Sequence, residues 1–258
     1  MHIYDGGRFP PARPGARMQP DAAVSDYRLL QVRLGTARTV VVTPAAYDTE
    51  NAVTLDAVAQ LGPQARGVAV VRPDVSDAEL RHMQAGGICG IRFTQFDPRT
   101  AATTLDMVEP LAKRVEPLGW HVQIHLRSDQ IVAAADVLRR LPGTVVFDHC
   151  GRLAGGVDDP ALGAIRGMLD RGRTWVKLSG AYFFGNPPDY AEATPIARAL
   201  IAAAPERMVW GSDWPHPTEA DKPDDAALFD LLTEWAPDEA TRHRILVDNP
   251  ATLYGFPR

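Results

Sequence analysis

Trp120-His121-Val122-Gln123-Ile124-His125-Leu126-Arg127 is the stretch that decides the fold. Successive side chains of a strand point to opposite faces, so the run divides into an apolar set (Val122, Ile124, Leu126) and a polar set (His121, Gln123, His125, Arg127). The apolar set suits packing beneath helices. The polar set is either the solvated side of an edge strand or the interior of a closed barrel, and a barrel has no free edge. In the barrel reading His125 and Arg127, nearest the C-terminal end of the strand, reach the mouth, where such folds carry their chemistry.

Outward from this run, short β-branched segments at residues 39–43, 67–72, 88–94, 144–149, 175–179 and 208–213 alternate with stretches of helical character. Ser25, Thr49, Ser76 and Ser128 are candidate N-caps, and Gly35, Gly62, Gly86, Gly119, Gly143 and Gly172 stand where helices should stop. Strands joined by helical crossovers pair in parallel. Seven such strands fall one short of a barrel's eight. The missing strand should be the first, yet only residues 1–4 are available for it, where a strand takes about five or six. The expected architecture is therefore α/β, a single domain over residues 1–258 folded as a (β/α)8 TIM barrel with a clipped first strand. The Pro/Gly-rich segment 9–20 reads as an irregular loop on the catalytic face. No G-x-G-x-x-G follows a strand, which argues against a dinucleotide-binding sheet.

Composition narrows the partners. The chain of 258 residues is 45% hydrophobic and 23% charged with a net charge of −5, a balance that argues against nucleic acid or an anionic membrane as partner. No uninterrupted apolar run of about 18 residues predicts a transmembrane helix, and no basic-then-apolar leader is visible. Two cysteines, Cys89 and Cys150, are too few for a disulfide framework and agree with a reducing cytoplasm. The expected partner is a small molecule; the sequence assigns no oligomeric state.

The residues that carry chemistry stand at strand ends. In Val145-Val146-Phe147-Asp148-His149-Cys150-Gly151-Arg152, His149 closes an apolar run. In Met208-Val209-Trp210-Gly211-Ser212-Asp213-Trp214-Pro215-His216, Asp213 is the last strand residue before a proline that cannot join the ladder, and Gly211 on the same face leaves room beside it. Two histidines ending adjacent parallel strands converge on a common atom, and beside them Asp213 suits a general base or a metal ligand. His216 either lines the mouth or serves the turn. Arg92 shares a face with Gly90 and Thr94, and an inward guanidinium needs an anion, from a protein carboxylate or from a substrate carboxylate or sulfonate. Arg99 is a weaker companion in the following loop.

These runs, with Val176-Lys177-Leu178-Ser179-Gly180-Ala181-Tyr182 and Asn249-Pro250-Ala251-Thr252-Leu253-Tyr254-Gly255-Phe256, resemble the amidohydrolase superfamily over essentially the whole chain. The resemblance is to its amidohydrolase 2 branch of lactonases and decarboxylases, and within it to hydrolases of pyrone-dicarboxylate and sulfomuconolactone. It implies an eight-stranded barrel whose site histidines lie on strands one, five and six and whose aspartate lies on strand eight, matched here by His2, His125, His149 and Asp213. It further implies that Arg92 binds the substrate's anionic group and that Tyr47 stands at the mouth; with Arg127 and His216, placed there by their strand-end positions, and Tyr182, these are the expected substrate contacts. Members of both kinds exist, so the resemblance implies either one divalent metal (Zn²⁺ or Mn²⁺) on His2, His125, His149 and Asp213 or a metal-independent site.

Three positions depart from the branch. Its His-x-His pair keeps only the second histidine, His2; the serine two residues before Tyr47 is Ala45; and an arginine some members carry after Ala-Tyr is Phe183. With Met1 in the middle of the expected pair, the natural protein is expected to start upstream. The expected reaction is hydrolysis of a small acidic lactone, with Asp213 as general base on the attacking water and the histidines polarising the carbonyl. The alternatives are a metal-dependent non-oxidative decarboxylase of an aromatic or muconate-type acid, a lactone isomerase, and a catalytically impaired barrel. No G-x-S-x-G nucleophile elbow is present.

Overall fold

Seven short, Val- and Ile-rich segments form parallel strands, in a computed structural model that describes residues 1–20, 22–97 and 101–257. They are β1 (Thr39–Val42), β2 (Ala65–Ala69), β3 (Ile88–Thr94), β4 (His121–His125), β5 (Val145–Phe147), β6 (Thr174–Leu178) and β7 (Met208–Trp210), and their order in the sheet follows the chain. Between and after them run α1 (Val24–Leu34), α2 (Ala52–Leu61), α3 (Asp77–Ala85), α4 (Val108–Val115), α5 (Ser128–Arg140), α6 (Pro160–Leu169), α7 (Ala193–Ala203), α8 (Asp225–Trp235), α9 (Glu239–His243) and α10 (Asn249–Tyr254). The strand–helix alternation is the one the sequence predicts.

Strand ends differ from the sequence expectation for identifiable reasons. β2 closes at Ala69 rather than at residue 72 because the Asn51 amide takes over the next residue, accepting from Val70 N at 2.8 Å and donating to Val70 O at 2.9 Å. β4 stops two residues short of Arg127, whose backbone N–H donates to Gln130 Oε1 at 2.9 Å as the first act of α5. β5 and β7 stop before His149 and Asp213, which take left-handed φ values of 50° and 60°. Of the four expected N-caps only Ser76 acts as one: its Oγ accepts from Glu79 N at 3.2 Å while Glu79 Oε2 accepts from Ser76 N at 2.8 Å. Such a reciprocal cap is worth about 1 kcal/mol. Asp26 bonds back to the backbone before α1, Asn51 precedes α2, and Ser128 is already the first residue of α5. Gly35 does stop α1, at φ 67° with its N–H on Val32 O.

The chain forms two compact units, Met1–Val122 with Asp213–Asp225 and Gln123–Ser212 with Ala226–Arg258. In the first, β1 pairs β2 with Thr39 opposite Ala65, and β2 pairs β3. In the second, β5 pairs β6 with Val145 opposite Thr174, and β6 pairs β7 with Val176 opposite Met208. The start of the chain carries no strand beyond a single bridge between Tyr4 and Ala22. It nonetheless makes strand-like bonds: the Met1 amino group to Val40 O at 3.2 Å, Val42 N to Met1 O at 2.9 Å and His2 N to Trp214 O at 2.8 Å. Ile3 and Tyr4 join Val24, Tyr27, Val41, Tyr47 and Val53 in the core of that unit. The Pro/Gly-rich loop is tied down through Ala12 N to Ala46 O and Gln19 Nε2 to Pro217 O. Among the described residues, no helix is long and apolar enough to cross a membrane.

Candidate active site

β4 carries the polar face seen in the sequence, and that face is buried: His121 is 2% exposed and Gln123 1%. A solvated edge strand would expose both. Gly90 on β3 makes the room, since a Cβ there would run into the His121 ring.

In the first unit, His2 is buried and its Nδ1 lies 2.8 Å from Val42 O. A carbonyl only accepts, so Nδ1 carries the proton and Nε2 is left facing Asp213 Oδ1 at 3.6 Å. Burial holds the His2 pKa below its ordinary value, against the opposing pull of Asp213. Asp213 sits beyond β7 in a left-handed turn whose carbonyl accepts from His216 N at 2.9 Å. Non-glycine residues in that region store of order 1–3 kcal/mol of strain, tolerated where the surroundings impose it.

Arg92, 6% exposed, lines a cavity of about 50 Å³ with Thr43, Asp48, Thr94, Asp97 and Thr103. That space holds a few waters or a small polar group. Asp48 is paired with Arg72 Nη2 at 3.0 Å and Arg13 Nε at 3.7 Å. The rim is braced by Asn51, whose Oδ1 accepts from Thr43 Oγ1 at 2.8 Å and whose Nδ2 donates to Thr49 O at 2.9 Å.

In the second unit, the His125 and His149 rings meet edge-on, centroids 4.9 Å apart at 79°. His149 Nδ1 lies 3.0 Å from Ser179 Oγ, and its ring packs on Phe183 at 5.2 Å. His149 opens a run of four residues with positive φ (His149, Cys150, Gly151 and Arg152), three of them not glycine. Gly151 and Gly180 hold left-handed φ values of 71° and 68° that favour glycine, and a Cβ at Gly180 would also strike the Phe183 ring. Arg152 stacks its guanidinium 3.7 Å above the Phe183 ring, and Tyr182 packs on the same ring at 4.5 Å. Burial pushes the Cys150 thiol up to about 12, so it is not a nucleophile at neutral pH.

The structure thus brings His2 to Asp213 and His125 to His149. Other predicted residues are engaged locally. Tyr47 is 1% exposed and its hydroxyl accepts from Asp5 N at 2.9 Å. Arg127 lies past β4 and grips Asp129 with two 3.0 Å bonds. His216 is buried with Nε2 3.1 Å from Asp225 Oδ1. Arg99 lies outside the described residues. Ser179, Arg152 and a buried Gln123–Asp148–Lys177 network went unassigned in the sequence; the available signal was a lysine inside the otherwise apolar strand Thr174–Leu178.

Among the described residues, no group of three or more His, Cys, Asp or Glu side chains is arranged to hold a metal ion. The imidazoles of His2 and His149 place Nδ1 on Val42 O and Ser179 Oγ, which turns Nε2 of each toward other partners, the orientation in which ligating histidines are usually held. The chemistry derived below uses the protein's own groups.

A parallel strand–helix alternation ending in these histidines and an aspartate defines a member of the amidohydrolase family: the family model described as amidohydrolase matches residues 1–256, and the chain belongs to that family. Among characterised relatives, it is 35% identical over 256 residues to a 4-sulfomuconolactone hydrolase of Hydrogenophaga intermedia, covering 96% of this chain and 84% of that one. It is 34% identical over 267 residues to a 2-pyrone-4,6-dicarboxylate hydrolase of Comamonas testosteroni (98% and 88%). A D-galactarolactone isomerase of Agrobacterium fabrum is 33% identical over 263 residues (98% and 89%).

Among solved structures, an Agrobacterium tumefaciens protein determined without ligand matches with a TM-score of 0.92 at 32% identity, covering 100% of this chain and 92% of that one. A probable 2-pyrone-4,6-dicarboxylic acid hydrolase of Acinetobacter baumannii with citric acid bound matches with a TM-score of 0.85 at 27% identity (99% and 97%). A Burkholderia multivorans amidohydrolase with bound zinc, 18% identical at a TM-score of 0.74 (99% and 97%), shares the fold. The fold is the α/β TIM barrel of this family, as the sequence predicts.

Proposed function

We propose that the protein hydrolyses a small lactone bearing a carboxylate or sulfonate. The observation that carries this reading is the pairing of buried His2 with Asp213 in the unit that also holds the buried Arg92 side chain. Names of the relatives support it, since both hydrolases named above act on acidic lactones.

In the proposed reaction Arg92 holds the substrate's anionic group in the attacking geometry. Asp213 accepts a proton from water as the oxygen attacks the ring carbonyl. Neutral His2 then offers an Nε2 lone pair to the protonated Asp213, which steadies the acid form until the proton passes to the ring oxygen leaving the acyl carbon. The product is the open-chain acid. His125 and His149 polarise the carbonyl and take the oxyanion's charge, an assignment that rests on the family resemblance. Tyr182, at the Phe183 ring, is proposed as an aromatic wall for the substrate.

The test is incubation of the purified protein with 4-sulfomuconolactone and with 2-pyrone-4,6-dicarboxylate, with and without chelator, following loss of the ring chromophore and release of acid. Consumption of either with acid release supports the proposal; consumption of neither at high enzyme concentration refutes it. The likeness to a lactone isomerase keeps a second reading, in which D-galactarolactone is rearranged without release of acid.

A further inference from the structure

Two buried polar side chains and a mostly buried lysine in the second unit form a bonded network that the proposed reaction does not use. Lys177 Nζ donates to Gln123 Oε1 at 2.6 Å and lies 3.1 Å from Asp148 Oδ1, while Gln123 Nε2 donates to Asp148 Oδ2 at 2.9 Å. Gln123 and Asp148 are 1% and 2% exposed. Each member stands one or two residues before a member of the imidazole cluster on the same stretch of chain: Gln123 before His125, Asp148 before His149, Lys177 before Ser179.

We propose that Lys177, acting with Asp148 and Gln123, is a positioning residue that sets the mutual orientation of His125, His149 and Ser179; its use in lactone chemistry rests on the reading above. A buried ion pair is a poor source of stability, because desolvation offsets the attraction and apolar residues of similar volume often do as well. What this one supplies is a single permitted geometry. One ammonium, one carboxylate and one amide match donor to acceptor three ways across β4, the end of β5 and β6, and slippage of any of them breaks a charge-assisted bond in a low-dielectric interior.

The need for such a clamp is local. Between Asp148, at φ −75°, and His149, at φ 50°, the backbone changes hand, so the Asp148 carboxylate is the last anchored side chain before the strained turn that carries the imidazole. Ser179 in turn ends the segment that Lys177 anchors, and its hydroxyl is the partner of His149 Nδ1.

The decisive variant is the double substitution Lys177→Met/Asp148→Asn, which removes both charges and strands neither. The expected result is a folded protein with a parent-like circular dichroism spectrum, a KM for the turned-over lactone within a few-fold of the parent, and a kcat lower by about 10²-fold, the scale of a 1 Å misplacement. In parallel, ¹⁵N-histidine NMR at fixed pH is expected to show changed His125 and His149 ring resonances. A folded double variant with parental kcat and parental histidine spectra overturns the proposal. Should that variant not fold, Gln123→Leu keeps the ion pair, deletes both amide bonds and is read by the same two outcomes. If the parent turns over neither lactone, the functional reading fails while the histidine spectra still decide the positioning role.

Discussion

The two polar clusters are built on opposite electrostatic plans. In the first unit, Arg92 lines a cavity and the His2–Asp213 pair is set at longer range, with His2 Nε2 3.6 Å from Asp213 Oδ1, while Asp48 on the cavity wall holds Arg72 at 3.0 Å and Arg13 at 3.7 Å. In the second, opposite charges are closed within one short-bonded network, and the imidazoles above it in the chain are held by ring packing and a serine hydroxyl. The difference teaches a division of labour. Loosely paired charge beside a cavity can exchange its partner for a ligand, whereas tightly paired buried charge can only hold shape.

The sharpest way to break this division is Asp213→Asn. Loss of a general base should lower kcat by about 10²–10⁴-fold with the fold unchanged, and steady-state kinetics on the turned-over lactone checks it. A kcat that survives would make the first cluster a binding site only. His149→Ala should cost about 10²–10³-fold, mainly in kcat, as expected for removal of a group that stabilises an oxyanion. Arg92→Met should act on the other parameter. Loss of a charged hydrogen bond worth about 2 kcal/mol raises KM roughly 30-fold and leaves kcat within a few-fold, which initial-rate kinetics resolves.

Asn51→Ala removes an amide that bonds Thr43, Thr49 and Val70 and should lower the unfolding free energy by about 2 kcal/mol in urea titration, with little effect on chemistry. The smallest effect concerns pH. The folded-state pKa of His2 lies below 6.5, so between these values the unfolded chain binds a proton the folded chain does not, and stability falls as pH drops below about 6.5. His2→Asn should flatten that part of the stability–pH curve, measured by urea unfolding at successive pH values.

Much of this was legible in the chain, and what was not has a common cause. The alternation in residues 120–127 left two readings of its polar face, a solvated edge or a barrel interior, and the burial of His121 and Gln123 decides for the interior. The strand ends were misjudged because residues distant in sequence or in the next helix decide them, Asn51 for β2 and Gln130 for β4. Among candidate site residues, identity was readable and engagement was not. Nothing near Tyr47 announces that Asp5 N–H takes its hydroxyl, nor does the turn at His216 reveal Asp225 as its partner. Lys177 was visible as a charge in an apolar strand, but its role needed two partners from other strands.

The amino-acid order alone determined the family, the parallel strand–helix alternation and the residue types at the strand ends, because periodicity and motif are local properties of the chain. The tertiary structure decided which of those side chains meet, in which backbone hand His149 and Asp213 are held, and which imidazole nitrogen of His2 carries its proton. Those depend on donor–acceptor distances between segments far apart in sequence, and only folding sets such distances.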